Sequence, residues 1–530
     1  MGFKKIKENG VYNTLVKTFF IDNSSDLATI ETNYTCDIGD VAITSDGTEY
    51  IRHSNDITGQ KWAFYAENSG GGGGSTESEK DVNLYDNNGN IVASYTKQEF
   101  ANMTVWPSPP AQDGLISQGW NWDISDAKAY VAKYGLLNVG PLYITESGNT
   151  EIDINVIDGR LTPYLGIGIN GEVEIDWGDN SNNDVVTGND LDTQVRTPHT
   201  YAQEGQYTIT IIVNSGSFAF IGTSVYGTLS KNSPTGNINF SYASMIQAVR
   251  IGDNITTIDQ YSFYCCINLK EIFIPENITL IGQNAFYNCY NLVEVTIPKN
   301  VTLIKSYAFR GCVSLEKISL PNNTILDSGV FSRCSNLKEL YIPEGNITIG
   351  SGLCGLCTGL KKVIIPDGIT EIKNEAFFNC ENLVKVKIPS GVTTIEYTAF
   401  SQCSNLKEVE MPNTVTSMGK TGFQYCTSLV NISISSNLTI LTESAFSNDY
   451  NLLKITIPSK ITTIESSAFY NCYGLTEIHF SATIPPLVSS SDTFLGIPTD
   501  CKIYVPTGTL SAYTSATNYP SASTYTYIEE

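Results

Sequence analysis

A short sequence element recurs about every 23 residues through the second half of this 530-residue chain. The stretch NAFYNCYNLVEVTIPKNVTLIKSYAF, residues 284–309, holds its Ala-Phe pair twice, 23 positions apart. In most copies Phe stands three residues before a Cys, Leu three residues after it and Pro nine residues after it. No single repeat can bury its apolar face alone, so neighbouring repeats must stack. Ten such repeats predict a solenoid that takes up about half of the chain.

Each repeat is predicted to supply one short strand and one compact turn. In LVEVTIP, residues 292–298, we expect Val295 and Ile297 to point inward and Glu294 and Thr296 outward, because side chains alternate along a strand. Pro298 ends the strand since it has no N–H for the ladder. Parallel strands about 4.8 Å apart then place the outward positions on one concave sheet.

The Cys positions form the most regular column of the repeat. They are Cys266, Cys289, Cys312, Cys334, Cys357, Cys380, Cys403, Cys426 and Cys472, and Asp449 stands at the one skipped position. We interpret them as reduced side chains that pack as small apolar groups. The spacing permits disulfides between neighbours, but the total of 13 cysteines is odd and Asp449 interrupts the column. Cys354 and Cys357 resemble half of a redox or zinc motif, yet Cys354 occupies the Phe column and no matching second pair is present.

The pattern A-F-x-x-C-x-x-L-x-x-[VI]-x-[IL]-P resembles the BspA-like, or Treponema pallidum type, leucine-rich repeat over about residues 246–480. The tail CKIYVPTGTLSAYTSATNY is similar to the segment that closes such arrays, and we expect Ile503 and Val505 to cover the last coil. The resemblance implies surface recognition and adhesion, not catalysis.

The first 150 residues are built differently from the repeats. Residues 69–80 form a Gly/Ser linker with an acidic end. Residues 39–51 alternate like a hairpin around an Asp-Gly turn, and Asn88-Gly89 predicts a second hairpin turn. The stretch from Asp123 to Gly135 predicts a helix with an Asp cap and a closing Gly. Strands are predicted over residues 140–146 and 150–156.

Residues 150–215 resemble a PKD-like immunoglobulin-type sandwich, whose signature is a W-G-D-G-S turn followed by H-x-Y-x-x-x-G-x-Y. The matching residues are Trp177, Gly178, Asp179, His199, Tyr201, Gly205 and Tyr207. Asn180 replaces the usual Gly, and Asn tolerates the left-handed region best among the other residues. The resemblance implies a spacer. We interpret Asp176 and Asp179 as turn-forming carboxylates, and a calcium site is the alternative.

These observations predict a multidomain, mainly β fold: small N-terminal α+β modules, an immunoglobulin-like (PKD-like) β-sandwich, and a BspA-type leucine-rich-repeat solenoid with a C-terminal cap. The predicted divisions are an N-terminal attachment segment 1–68, the linker 69–80, a small α+β module 81–149, the sandwich 150–215, a transition 216–245, the repeats 246–480 and the cap 481–530.

Charge and composition disfavour several functions. Lys and Arg total 31 against 54 Asp and Glu, a net charge of −23, so we expect no nucleic acid partner. No run of 18 apolar residues is present, so we expect no membrane insertion. Residues 1–20 lack a secretory pattern, so we expect synthesis in a cytosol without the usual export.

Catalysis is also disfavoured. The three histidines, His53, His199 and His479, lie in three different units, and no nucleophile elbow, phosphate loop or zinc-protease motif is present. Paired carboxylates for glycoside cleavage stay open. We therefore predict no enzyme activity, no cofactor and no bound metal.

Two features of the outward strand positions predict a ligand site in the middle coils, namely apolar side chains and a basic cluster in an acidic protein. The candidate ligand-binding residues are Phe273, Tyr341, Ile364, Lys361, Lys362, Lys385 and Lys387. The alternative is an ordinary solvated sheet face with cross-strand charge pairing.

Residues 35–155, including GDVAITSDGTEYIRHSNDITGQKWAFYAEN and VNLYDNNGNIVASYTKQEF, resemble modules of tail and appendage proteins of gut-bacterial phages. The resemblance implies a virion appendage, a tail or head fibre made in the host bacterial cytoplasm. Its N-terminal region would contact other virion proteins, and its solenoid would bind a glycan or protein of the bacterial surface. We expect a homo-oligomer. The alternatives are a BspA-like adhesin located at the bacterial cell surface and a capsid or tail decoration protein with weak adhesion.

Overall fold

The computed structural model describes residues 18–21, 41–44, 49–52, 62–65, 81–86, 90–222, 228–230 and 242–530. The chain divides into two compact units, Met1–Ser78 and Glu79–Glu530. Several predicted features lie outside the described residues: the linker 69–80, the Asp46-Gly47 and Asn88-Gly89 turns, most of the attachment segment 1–68 and part of the transition 216–245.

The first unit contains one four-stranded sheet. Its strands are β1 (Thr18–Ile21), β2 (Val41–Thr44), β3 (Glu49–Arg52) and β4 (Trp62–Tyr65), in the order β1-β2-β3-β4. β2 and β3 pair antiparallel, as the alternation within residues 39–51 predicts.

The second unit begins with a small α+β module. Its elements are β5 (Val82–Tyr85), β6 (Ile91–Tyr95), α1 (Lys97–Asn102), β7 (Leu115–Trp120), α2 (Ile124–Tyr134), β8 (Leu137–Val139) and β9 (Pro141–Thr145). β6, β5 and β8 form one sheet and β7 pairs with β9. Helix α2 begins after Asp123 and ends at Gly135, whose φ of 92° suits Gly, so the predicted helix is confirmed with its boundaries.

A group of long antiparallel strands follows. They are β10 (Thr150–Val156), β11 (Tyr164–Asp176), β12 (Asp184–Pro198), β13 (Gly205–Ala219) and the short β14 (Leu229–Ser230). Hydrogen bonds join them into one sheet in the order β12-β11-β13-β10, with β14 beside β11. Because the described strands do not separate into two sheets, the PKD-like sandwich stays a prediction. The predicted turn is present, and Asn180 has a φ of 63°.

The solenoid continues this sheet, because β10 pairs antiparallel with the first repeat strand. A short 3₁₀ turn at Ala243–Met245 precedes that strand. The main ladder contains β15 (Ile246–Arg250), β17 (Glu271–Phe273), β19 (Glu294–Thr296), β21 (Lys317–Ser319), β23 (Glu339–Tyr341), β25 (Lys362–Ile364), β27 (Lys385–Lys387), β29 (Glu408–Glu410), β31 (Asn431–Ile432), β33 (Lys454–Ile457), β35 (Glu477–Phe480), β37 (Lys502–Val505) and β38 (Thr526–Glu529). We keep the name concave face for the outward side chains of this ladder.

A second ladder of two-residue strands follows the first around each coil. It contains β16 (Thr257–Ile258), β18 (Leu280–Ile281), β20 (Leu303–Ile304), β22 (Ile325–Leu326), β24 (Thr348–Ile349), β26 (Glu371–Ile372), β28 (Thr394–Ile395), β30 (Ser417–Met418), β32 (Ile440–Leu441), β34 (Thr463–Ile464) and β36 (Leu487–Val488). Repeat strands in both ladders pair parallel, in the register that a fixed repeat dictates. The solenoid has about 12 turns, so the predicted fold class is confirmed.

The inside of the solenoid is a stack of like residues. Neighbouring Phe rings lie parallel with centroids 5.0–6.0 Å apart, as between Phe286 and Phe309. The repeat cysteines form one buried column of free thiols. Most of these thiols donate a hydrogen bond of 3.0–3.2 Å to a carbonyl of the preceding coil, as Cys289 does to Phe263.

The C-terminal segment covers the last coil as predicted. Ile503 and Val505 are fully buried on β37. Helix α3 (Leu510–Thr514) follows, and Tyr513 on it packs against Phe480 with ring centroids 5.0 Å apart. Strand β38 then adds a final parallel strand beside β37. Across the described part of the chain, none of the helices has the length and apolar character needed to span a membrane.

Candidate functional site

The concave face is divided into a covered half and an open half. The α+β module packs over the strands from β17 to β25, and Tyr341 and Ile364 join its hydrophobic core. From β27 to β38 the outward side chains of the ladder are exposed or half-buried. The division decides which of the predicted site residues a ligand can reach.

Two adjacent residues at the end of β7 hold the module on the ladder. The Asn121 amide is fully buried and its Nδ2 donates to the Ile297 carbonyl at 3.1 Å and to Ser319 Oγ at 2.9 Å. Nε1 of Trp122 donates to the Leu320 carbonyl at 3.0 Å. These bonds satisfy polar groups that docking removes from water, and leaving them unpaired costs about 1–3 kcal/mol each.

Close backbone approach and aromatic packing complete the contact. Gly140 lies so near β19 that a Cβ at this position would fall 2.0 Å from Thr296 Oγ1. The Tyr143 ring meets Phe273 edge to face, with centroids 5.8 Å apart. At the far edge, Lys133 Nζ lies 2.9 Å from a Glu344 carboxylate oxygen.

The buried carboxyl of Glu294, in this contact, lacks a hydrogen-bond partner for one of its two oxygens. Glu294 is 8% exposed, and its Oε2 is buried without a hydrogen-bond partner. Burial raises the pKa of Glu294 to about 8, while nearby Lys317 opposes the shift and Asp86 adds to it. The Lys317 ammonium in turn lies 3.9 Å from the centroid of the Tyr85 ring.

The predicted apolar site residues all lie in the covered half. Phe273 is 7% and Tyr341 8% exposed, and Ile364 is half-buried against the same module core. In this arrangement they contact the chain's own module. A ligand-binding role for these three residues stays a prediction, and it requires the module to leave this face.

The predicted lysines lie at the boundary between the two halves: Lys361 and Lys362 at β25, and Lys385 and Lys387 on β27. Lys385 Nζ pairs with Glu408 at 3.0 Å and with Glu410 at 2.7 Å, and hydrogen bonds to these carboxylates raise the pKa of Lys385. Lys387 and Lys361 are exposed, and Lys362 is half-buried. Cross-strand pairs of this kind are what the solvated-face alternative describes. The structure brings the lysines near Ile364 but separates them from Phe273.

A polar and aromatic cluster closes the open half and was missed by the sequence analysis. His479 Nε2 lies 3.0 Å from Glu477, and its Nδ1 lies 2.8 Å from Glu530. The imidazole stacks on the Tyr504 ring at 4.2 Å with an interplanar angle of 4°. Hydrogen bonds from His479 and then Lys454 hold the pKa of Glu477 below its usual value. The signal was hidden because Glu530 follows His479 by 51 residues and comes directly after β38, outside the repeat pattern.

This cluster can bind a polyhydroxylated ligand. It offers carboxylate acceptors, a lysine donor and the edge of an aromatic pair within three neighbouring strands. Aromatic rings and fixed polar groups at one surface fit the apolar faces and hydroxyls of a sugar.

The carboxylates of the predicted PKD-like turn close the turn itself. Asp176 accepts the Gly178 N–H at 2.9 Å, and Asp179 accepts the Ser181 N–H at 3.0 Å. Asp179 also lies 2.9 Å from His199 Nε2. Among the described residues there is no group of three or more His, Cys, Asp or Glu that could hold a metal ion. The hydrogen bonds give both aspartates the turn-forming role proposed for them.

The fold and this surface define a leucine-rich-repeat solenoid whose outward sheet face is half covered. Residues 256–384 and 370–491 match the model of the BspA type leucine rich repeat region, in six copies. The repeat region therefore matches the BspA type of leucine-rich repeat, as the resemblance predicted.

Several solved structures are similar to parts of the chain. A leucine rich cell surface protein from Faecalibacterium prausnitzii A2-165 is 27% identical, with 51% of this chain and 87% of that chain covered and a TM-score of 0.29. A leucine-rich repeat protein from Bacteroides ovatus ATCC 8483 is 22% identical, with coverages of 57% and 97% and a TM-score of 0.34. The T. pallidum leucine rich repeat protein is 29% identical, with coverages of 35% and 78% and a TM-score of 0.28. No curated protein matches the chain.

Proposed function

We propose that this chain is a non-enzymatic recognition protein that binds a glycan or protein of a bacterial cell surface. The open half of the concave face, from β27 to β38, is its binding surface. The observation that carries the proposal is the cluster of His479, Glu477, Glu530 and Tyr504, an ordered polar and aromatic patch on a rigid ladder. The BspA-type repeat match supports an adhesive role.

The test is binding of the fluorescent full-length chain to a panel of intact gut bacteria. Tyr504→Ala removes the ring that stacks on His479, so we expect labelling of the positive strains to fall about tenfold, the equivalent of about 1.4 kcal/mol. Tyr473→Ala is the matched control, because this ring is 57% exposed and lies in a turn away from the ladder. If both variants label the strains equally, the open half of the concave face is not the binding surface.

Whether the chain is located on a bacterial cell or on a virion is a second question. The BspA-type repeats support a bacterial cell surface, whereas the resemblance of residues 35–155 to phage modules favours a virion appendage. Immunogold labelling of intact cells and of purified virions from the same culture separates these locations. The homo-oligomer and the contacts of the N-terminal region with virion proteins stay predictions. If the chain labels no strain, a decoration role with weak adhesion becomes the better proposal.

A further inference from the structure

Two arginines on the turns of neighbouring coils have no acidic partner among the described residues. Arg310 and Arg333 both have a buried Nε without a hydrogen-bond partner, and neither forms an ion pair within the described part of the chain. Arg250 and Arg160 differ from this pair: Arg250 binds Glu151 and Asp153 at 2.6–2.8 Å, and Arg160 lies 3.1 Å from Asp158.

Tyrosine rings frame the Arg310 guanidinium group. The Arg310 guanidinium carbon lies 5.3 Å from the centroid of the Tyr307 ring and 5.8 Å from that of Tyr287. Tyr287 stacks on Tyr264 in the preceding coil, with centroids 5.0 Å apart. Tyr307 is 36% exposed, so the frame is open to solvent on one side.

The electrostatics of the pair favour an added anion. Burial and then the like charge of Arg310 lower the pKa of Arg333, so Arg333 is a poorly solvated cation beside a second cation. A bound anion between the two groups would offset that cost with charge-assisted hydrogen bonds. A guanidinium also donates in a planar fork that matches the oxygens of a carboxylate or sulfate.

We propose that Arg310 and Arg333, with Tyr287 and Tyr307, bind the anionic group of an acidic sugar, either a carboxylate or a sulfate. The guanidinium groups take the anion, and the tyrosine rings pack against the sugar ring. This site lies on the turns, not on the ladder strands, so it is separate from the concave binding surface proposed above and does not depend on it.

The experiment is isothermal titration of the purified full-length chain with glucuronate, glucose 6-sulfate and neutral glucose at constant ionic strength. We expect both acids to bind more tightly than glucose, and the tighter acid identifies the natural anionic group. Arg310→Gln combined with Arg333→Gln should weaken the acids by about tenfold or more, since two charge-assisted contacts are lost. Lys407→Gln, which removes an exposed cation elsewhere, should leave this affinity unchanged.

A purely structural role for the arginines predicts different results. It predicts that the double variant unfolds at a lower temperature than the wild type in buffer free of these acids, whereas an empty anion site predicts no loss of thermal stability. Arg333→Lys keeps the charge but not the fork, and we expect it to weaken the acids while the chain stays folded. Equal binding of glucose and both acids, or equal affinity in wild type and double variant, would overturn the proposal.

Discussion

At the scale of single residues, the solenoid interior tolerates one conspicuous departure from its repeat. Asp449 occupies the Cys column and is fully buried, with Oδ1 accepting the Cys426 N–H at 2.8 Å and Oδ2 unpaired. Burial raises the pKa of Asp449 well above its usual value. The folded chain therefore holds a proton that the unfolded chain releases above about pH 3.9. Stability from this residue is present at low pH and is lost as pH rises toward the folded-state pKa.

Asp449→Cys should stabilise the solenoid. The thiol restores the column and removes a buried carboxyl with an unpaired oxygen, so we expect a gain of about 1–3 kcal/mol in the free energy of unfolding at pH 7. The gain should shrink toward pH 4, where about half of the unfolded-state carboxyl is protonated as it is in the folded state. Thermal unfolding followed by circular dichroism at both pH values measures the effect. Cys403→Asp, which places a carboxyl in a regular coil, should destabilise the chain. A variant at 449 less stable than the wild type at pH 7 would refute this account.

At the scale of elements, the repeats could be predicted from sequence and the docking of the module could not. Each coil places Phe, Cys and Leu at fixed offsets, so burial follows from spacing within about 23 residues. The contact of Asn121 with Ser319 joins residues 198 positions apart, and one sequence carries no record of which surfaces pair. The outward apolar residues Phe273 and Tyr341 were visible as a signal. Outward apolar residues of this kind are typical of a ligand site and of a buried internal interface alike, so the sequence alone does not separate the two.

Gly140, the residue before β9, lies close to β19, and this close approach allows a test of the docked module. Gly140→Ala places a Cβ 2.0 Å from Thr296 Oγ1, so the module must shift away from the ladder. We expect amide hydrogen exchange to rise at least tenfold in β17, β19 and β21, because their outward face becomes wet. Gly205→Ala is the matched control, since its new Cβ would meet only ordinary contacts at 3.5 Å. Unchanged exchange in Gly140→Ala would mean that the module does not rest on β19.

At the scale of the whole molecule, the covered half of the concave face forms an internal interface and the open half faces solvent. The module buries one half of the ladder through Trp122 and Tyr143, and it thereby ties residues 81–149 to the repeats. The open half keeps its paired charges in solvent, as Lys385 shows. Recognition on the open half should therefore persist even when docking is weakened.

The condition that docking should sense is pH, through Glu294. Its folded-state pKa of about 8 lies above the ordinary value of 4.5, so the folded chain binds the extra proton between these values. Stability from this carboxyl is present at low pH and is lost as pH rises from 4.5 through about 8. Lys317 and Asp86 face the same carboxyl: Lys317 lowers the pKa of Glu294, and Asp86 raises it. Above pH 8, the backbone amides of β17, β19 and β21 should accordingly exchange faster than the intrinsic pH dependence of amide exchange predicts.

Glu294→Gln keeps the shape of the side chain and removes its charge. We expect this variant to gain about 1–3 kcal/mol in unfolding free energy at pH 9, because a buried carboxylate no longer forms, and to gain little at pH 5. Glu408→Gln changes an exposed carboxyl on β29 and serves as the control, with no comparable gain at either pH. Thermal unfolding at pH 5 and 9 makes the comparison, and binding of the labelled chain to bacteria at both values shows whether recognition is independent of docking. If the Glu294→Gln chain and the wild type are equally stable at pH 9, Glu294 does not couple docking to pH.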